Sequence, residues 1–205
     1  MLRTIRWVSC ALIAILAVAW AAGWVANRDP SGVLAAVGLS PTPSMGGPFT
    51  LVGTDGRRVT DADFRGKWMV IYFGYAYCPD VCPTELQTIS SALDLLGPAA
   101  ASIVPLFITT DPERDTPVAL GQYVKLFDDR LIGLTGSTDE IAHAERSYRV
   151  YAARVAGRTP QTYVIDHSSL IYFVAPDGQF RVILPSGSNP DELANAIRSE
   201  IAKNG

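Results

Sequence analysis

The sequence predicts an α/β protein, a mixed sheet flanked by helices. Three observations carry this. Two apolar runs, Trp68–Phe73 and Ser102–Thr109, are each followed by a helix signal. Strand and helix signals alternate from Trp68 to Tyr148. The last part then reads as an antiparallel hairpin and a closing helix. Parallel strand–helix–strand units with an antiparallel edge give a mixed sheet covered on both faces.

The elements follow in order. Phe49–Val52 and Arg57–Thr60 flank Asp55-Gly56, which reads as a short hairpin. Trp68–Phe73 reads as a buried central strand. Pro83–Leu96 reads as a helix, with Pro83 suited to a first turn and Gly97-Pro98 as its stop. Ser102–Thr109 is a second buried strand. Thr116–Phe127 is an amphipathic helix, with Thr116 or Asp115 as its cap. Leu131–Leu134 is a short strand and Thr138–Tyr148 a helix. Arg149–Val155 and Gln161–Ile165 read as a strand pair around Gly157. Leu170–Val174 and Phe180–Leu184 form a hairpin across Pro176-Asp177-Gly178, and Asn189 caps a final helix to about Ala202. No internal repeat is visible.

The chain has 205 residues. It opens with Arg3 and Arg6, then runs uncharged for 20 residues from Trp7 to Ala26. At 1.5 Å per residue this spans a hydrocarbon core of about 30 Å. The positive-inside bias puts the N-terminus in the cytoplasm and the rest outside. The expectation is one transmembrane helix anchoring a soluble domain at a bacterial inner (cytoplasmic) membrane, with the domain in the periplasm. A cleaved signal peptide is the competing reading. Trp20 and Trp24 suit the interfacial belt of an anchor better than a cleavage motif. Cys10 reads as membrane-embedded. Residues 27–48 carry Pro30, Pro41, Pro43 and Pro48 and read as a tether. The domain is then residues 49–205.

Loss of Arg3 and Arg6 with the anchor takes the net charge from −3 to −5. No basic run exists, which argues against a nucleic-acid partner. An exported setting allows a disulfide to persist. A dithiol there must be kept reduced, metallated or cycled.

Cys78-Pro79-Asp80-Val81-Cys82 carries the chemistry. These are the only cysteines outside the apolar N-terminal segment. They sit where the first central strand meets its helix, the thioredoxin-like arrangement. In that fold the segment Arg149–Ile165 is an insertion. A helix N-terminus stabilises thiolate, which is both metal ligand and nucleophile. Thiolate pairs select Cu(I), zinc or iron–sulfur centres. Two sulfurs complete neither a zinc site nor a cluster, so a third ligand is needed, and imidazole is the obvious source. His143, mid-helix between Ala142 and Ala144, reads as a solvated helix residue. His167, in Asp166-His167-Ser168-Ser169, stands in the gap between two expected strands, facing the cysteine corner. Two thiolates and an imidazole suit Cu(I), and can hold Cu(II). Asp166 reads either as a group orienting that imidazole or as a turn residue. A structural disulfide between Cys78 and Cys82 is the plain alternative. Its five-residue loop yields only about 2 kcal/mol.

Four stretches, in order, resemble the Sco/SenC family. They are Tyr72–Tyr75 leading into Cys78–Leu86, then Thr110–Pro117, then Asp166-His167-Ser168, then Ile171-Tyr172-Phe173 before Pro176-Asp177-Gly178. The resemblance implies a membrane-anchored copper protein that serves cytochrome c oxidase assembly, with Cys78, Cys82 and His167 as copper ligands. Tyr77 departs from it, since many members have another residue there, often His. The implied partners are the copper-bearing oxidase subunit and other copper chaperones or thiol reductants.

Asp111 reads as a residue shaping the site or as a turn residue. Met45 and Met69 are too isolated for a methionine copper site. Tyr72, Phe73, Tyr75 and Tyr77 read mostly as core, with Tyr75 or Tyr77 bordering the metal. Three functions compete. The first is a copper metallochaperone. The second is a thiol–disulfide oxidoreductase using Cys78 and Cys82, against which the C-x₃-C spacing argues. The third is a peroxidase or redox sensor.

Overall fold

The computed structural model describes Trp20 and residues 45–157, 162–185 and 187–204. The expected membrane helix and most of the tether lie outside the described residues. Among the described residues, no helix is long and apolar enough to cross a membrane.

The described residues from Met45 onward form one compact unit. Its sheet has seven strands in the order β2-β1-β5-β4-β3-β8-β9. These are β1 (Thr50–Gly53), β2 (Arg58–Thr60), β3 (Trp68–Gly74), β4 (Ile103–Thr109), β5 (Ile132–Thr135), β8 (Leu170–Val174) and β9 (Phe180–Pro185). The strands β3, β4 and β5 run parallel. The outer strands β1 and β8 join them antiparallel. The hairpin at Asp55-Gly56 forms as expected, and Gly56 takes the positive φ of 79° that its turn requires.

Alternation along β3 decides where the layers sit. Val70 and Tyr72 face one core, while Met69, Ile71 and Phe73 face the other. On the first face lie α1 (Val81–Leu96), α2 (Pro117–Val124) and α4 (Pro190–Asn204), through Leu86, Leu120 and Leu193 among others. On the second lies α3 (Thr138–Tyr148), through Ile141, Ala144 and Tyr148. This is the mixed α/β sheet the alternating signals predicted, in the thioredoxin-like form that the cysteine corner suggested.

The ends of the elements differ from expectation for local reasons. The helix α1 starts at Val81, two residues before Pro83, so Cys82 lies inside its first turn. The helix α2 ends at Val124 rather than Phe127. The N–H groups of Leu126 and Phe127 reach back only three residues, to Tyr123 and Val124, so the helix tightens and stops. Thr116 caps it, its hydroxyl accepting from the Ala119 N–H at 3.3 Å. The expected inserted strand pair exists as β6 (Ala152–Val155) and β7 (Val164–His167), a separate two-stranded antiparallel sheet. His167 is therefore not in a gap between strands. It ends β7, opposite Ala152, because the pairing runs two residues past Ile165.

Candidate metal centre

The position of Cys82 follows from the helix period. The buried residues of α1 include Cys82, Glu85, Leu86, Ile89, Leu93 and Leu96, a stripe at three- and four-residue spacing, with Ser90 and Ala92 beside it. Cys82 heads that stripe and is fully buried. Cys78 lies in the preceding loop, whose first turn closes with the Cys78 N–H donating to the Tyr75 carbonyl at 3.1 Å. The Cys82 N–H, one of the unpaired donors of the helix start, points at the Cys78 sulfur at 3.5 Å. Gly74, at the end of β3, makes room beneath. A Cβ there would stand 2.7 Å from the Cys82 sulfur.

The third group arrives from the other sheet. His167 Nε2 lies 3.5 Å from Cys82 Sγ. His167 Nδ1 lies 3.2 Å from the Ser168 carbonyl. A carbonyl only accepts, so this contact puts the proton on Nδ1 and turns the Nε2 lone pair to the sulfurs. Tyr75 and Tyr72 meet the imidazole edge-on, with ring centres 5.8 and 6.3 Å away. The two sulfurs and a ring nitrogen all lie within 4.8 Å of one another, the one such donor cluster among the described residues.

Both cysteines are free. The hydrogen bond from Cys82 pulls the Cys78 thiol down to about 3, against burial, with backbone N–H groups assisting. The same bond, together with burial, pushes Cys82 up. One proton is thus held on Cys82 and the charge on Cys78, the half-exposed sulfur. Burial raises the phenols of Tyr72 and Tyr75, which stay neutral beside the thiolate.

The other expected residues divide. Asp166 is exposed on the strand, and the contact to the imidazole comes from Ser168 instead. The alternation of β7 explains this, since adjacent side chains point to opposite faces. Tyr77 is 62% exposed rather than core, while Tyr75 borders the site. His143 is exposed on its helix. Asp111 is buried and bonded to Arg114 and to the Tyr163 hydroxyl. Asp115 does not cap the helix. It is buried, accepts from the Thr109 hydroxyl at 2.6 Å and from the Ala76 N–H at 3.0 Å, and so ties the end of β4 to the cysteine loop. The sequence signal for these roles is a run of charges bracketed by prolines straight after a buried strand, but it carries no partner.

This donor set fits copper. Two thiol sulfurs and an imidazole are soft and borderline ligands, and three donors fall short of the four a structural zinc site requires. The model of the SCO1/SenC family matches residues 38–202. The chain belongs to the SCO1/SenC family.

SCO1/SenC relatives are similar along most of the domain. Protein sco1 of Schizosaccharomyces pombe is 40% identical over 178 residues, covering 85% of this chain and 66% of that protein. The human SCO1 homolog is 39% identical over 161 residues, 78% of this chain and 54% of that protein. The chain thus spans less than two thirds of these curated relatives. The crystal structure of Arabidopsis thaliana ScoI with copper bound superposes with a TM-score of 0.74 at 40% identity, covering 78% of this chain and 99% of that one. The relatives also correct one expectation. Those from zebrafish, human and Arabidopsis are named as mitochondrial. They point to a mitochondrial setting, which overturns the expected bacterial inner membrane with a periplasmic domain.

Proposed function

We propose that this protein is a copper metallochaperone that holds copper on Cys78, Cys82 and His167 and passes it to a dinuclear copper centre during cytochrome c oxidase assembly. The single observation that carries this reading is the convergence of the three donors within 4.8 Å, two from one loop and helix start and one from a separate sheet. The solved Arabidopsis relative that holds copper supports it. The oxidase as acceptor is what family membership implies.

The site suits transfer as well as binding. Cys78 is ready to bind as thiolate. Cys82 must shed its proton, so copper uptake releases acid. Three donors leave one side open, and an acceptor ligand can attach there before a donor leaves. In this reading residues 1–26 anchor the domain to a membrane and residues 27–48 give it reach.

A second reading has one observation in its favour. The half-exposed, low-pKa Cys78 beside the buried, protonated Cys82 is the asymmetry of a thiol–disulfide exchanger. The protein would then reduce the acceptor's cysteines for another copper donor. Titration with Cu(I) against a competing chelator, and with Cu(II) by absorbance, separates the two. The chaperone reading expects one tight copper per chain and a sulfur-to-Cu(II) band lost in Cys78→Ser, Cys82→Ser and His167→Ala. Binding indifferent to His167, with thiol exchange intact, favours the reductase.

A further inference from the structure

His167 reaches the cysteines on a sheet that makes no ladder with the main one. The strands β6 and β7 pair only with each other among the described residues. The imidazole is positioned by the two-residue link from His167 to β8 and by side chains that join β7 to the cysteine loop. One side chain joins all the parts. The Arg114 guanidinium bonds to the buried Asp111 carboxylate through Nε and donates from Nη1 to the Tyr163 carbonyl at 3.1 Å. Its centre stands 3.7 Å from the Tyr163 ring, 4.9 Å from Tyr77 and 5.7 Å from Tyr75. Tyr163 immediately precedes β7, and its hydroxyl donates to Asp111 at 2.8 Å. Tyr75 and Tyr77 belong to the loop that carries Cys78, and Tyr75 touches the imidazole itself.

We propose that Arg114 is a positioning residue that clamps the start of β7 to the cysteine loop and so sets where His167 stands against Cys78 and Cys82. The planar guanidinium is required for this. It bonds to Asp111 and to the Tyr163 carbonyl while its charge lies over tyrosine rings. Lysine keeps the charge and loses the fork. Cys82 does not depend on the clamp, because α1 holds it, and the Cys82 N–H reaches Cys78 Sγ at 3.5 Å. The inference rests on the copper reading only for its metal readout. Its structural content is a property of the metal-free protein.

The test uses the reduced full-length chain and the variants Arg114→Gln, Arg114→Lys and Tyr163→Leu, the last keeping the backbone acceptor while removing the stacked ring. In metal-free protein, amide exchange across residues 164–167 should quicken in Arg114→Gln while that of α1 stays unchanged. The His167 ring resonances, shifted by Tyr72 and Tyr75, should move toward free-histidine values. Arg114→Lys should fall between wild type and Arg114→Gln. With copper, Cu(II) affinity should drop by about ten- to a hundredfold, as for loss of other groups that orient a ligand. Cu(I) affinity should change far less, and added imidazole should restore the Cu(II) spectrum. A variant that merely melts at lower temperature, with β7 exchange and the His167 ring unchanged at 25 °C, overturns the clamp. So does faster exchange at β7 with the wild-type Cu(II) spectrum. If wild type shows no His167-dependent Cu(II) band, the copper reading fails by itself. Exchange and ring shifts still decide the clamp.

Discussion

His167 Nε2 and Cys82 Sγ stand 3.5 Å apart across 85 residues of sequence. The sulfur is held by a helix whose apolar stripe begins with it. The nitrogen is held by the last residue of a strand in a second sheet. Each element is specified locally, and the site exists only where packing brings them together.

The charge on that site sits on one sulfur. Cys78 is drawn down to about 3 by the hydrogen bond from Cys82, and Cys82 is pushed up. An ordinary thiol loses about tenfold in thiolate for each pH unit below about 8.5. In the reduced, metal-free protein, alkylation of Cys78 by iodoacetamide should stay nearly constant from about pH 5 to 8. Cys82, fully buried, should react only after unfolding. Peptide mass spectrometry of quenched samples reads both. A Cys78 rate that climbs tenfold per pH unit would refute the assignment.

Gly74 is a space requirement beneath the site. A Cβ there would meet Cys82 Sγ at 2.7 Å and the Phe107 ring at 2.9 Å. Both neighbours are fully buried and have little room to move. Gly74→Ala should cost about 1–3 kcal/mol of stability. It should also weaken copper binding by displacing the sulfur. Urea unfolding and chelator competition on the same variant measure the two effects, and an unchanged affinity would separate the glycine from the site.

Glu145 introduces a pH dependence into the fold itself. Burial raises its carboxyl to about 7, with Arg146 and His167 pulling the other way. The folded state therefore keeps a proton that the unfolded chain, at about 4.5, gives up. This contribution to stability is present below the unfolded value and is lost as pH rises through about 7. As pH rises from about 5 to 7, wild type should lose stability relative to Glu145→Gln, and above about 7 the difference between the two should stay constant. Denaturant midpoints across the range test it, and an equal slope in both proteins would discount Glu145.

Glu85 is a buried carboxyl on the stripe that carries Cys82. Its Oε1 accepts from the Gly187 N–H at 2.6 Å, while Oε2 is buried without a partner among the described residues. Burial raises its pKa. Glu85→Ala should strand the Gly187 N–H and cost about 1–3 kcal/mol. Faster amide exchange at Gly187, with cysteine reactivity unchanged, should mark the effect as local to the approach to α4.

Much of the fold was legible because its signals are short-ranged. The apolar run Trp68–Phe73 reads as a strand buried on both faces, and Thr138–Tyr148 forms the helix expected of it. Asp55-Gly56 makes its turn. The helix period places Cys82 on the inward side of α1 without reference to any other element. What was misplaced depended on partners. His167 was expected in a gap and lies on a strand, because pairing with Ala152 extends β7. Tyr77 fitted the alternation of β3, but the strand ends at Gly74 and alternation ends with it.

The sequence by itself determined the strand and helix order, the cysteine pair at the strand-to-helix corner, and the histidine to be sought opposite. Those follow from periodicity, turn chemistry and the scarcity of cysteine and histidine. Only the tertiary structure decided that Ser168 rather than Asp166 meets the imidazole, that Asp115 ties β4 to the cysteine loop rather than capping a helix, and that Arg114 gathers Asp111, Tyr163, Tyr75 and Tyr77. Their partners lie as far as 52 residues away, as for Tyr163 and Asp111. No local period encodes such pairings. They are fixed when burial removes water and each remaining polar group must find a partner within the packed interior.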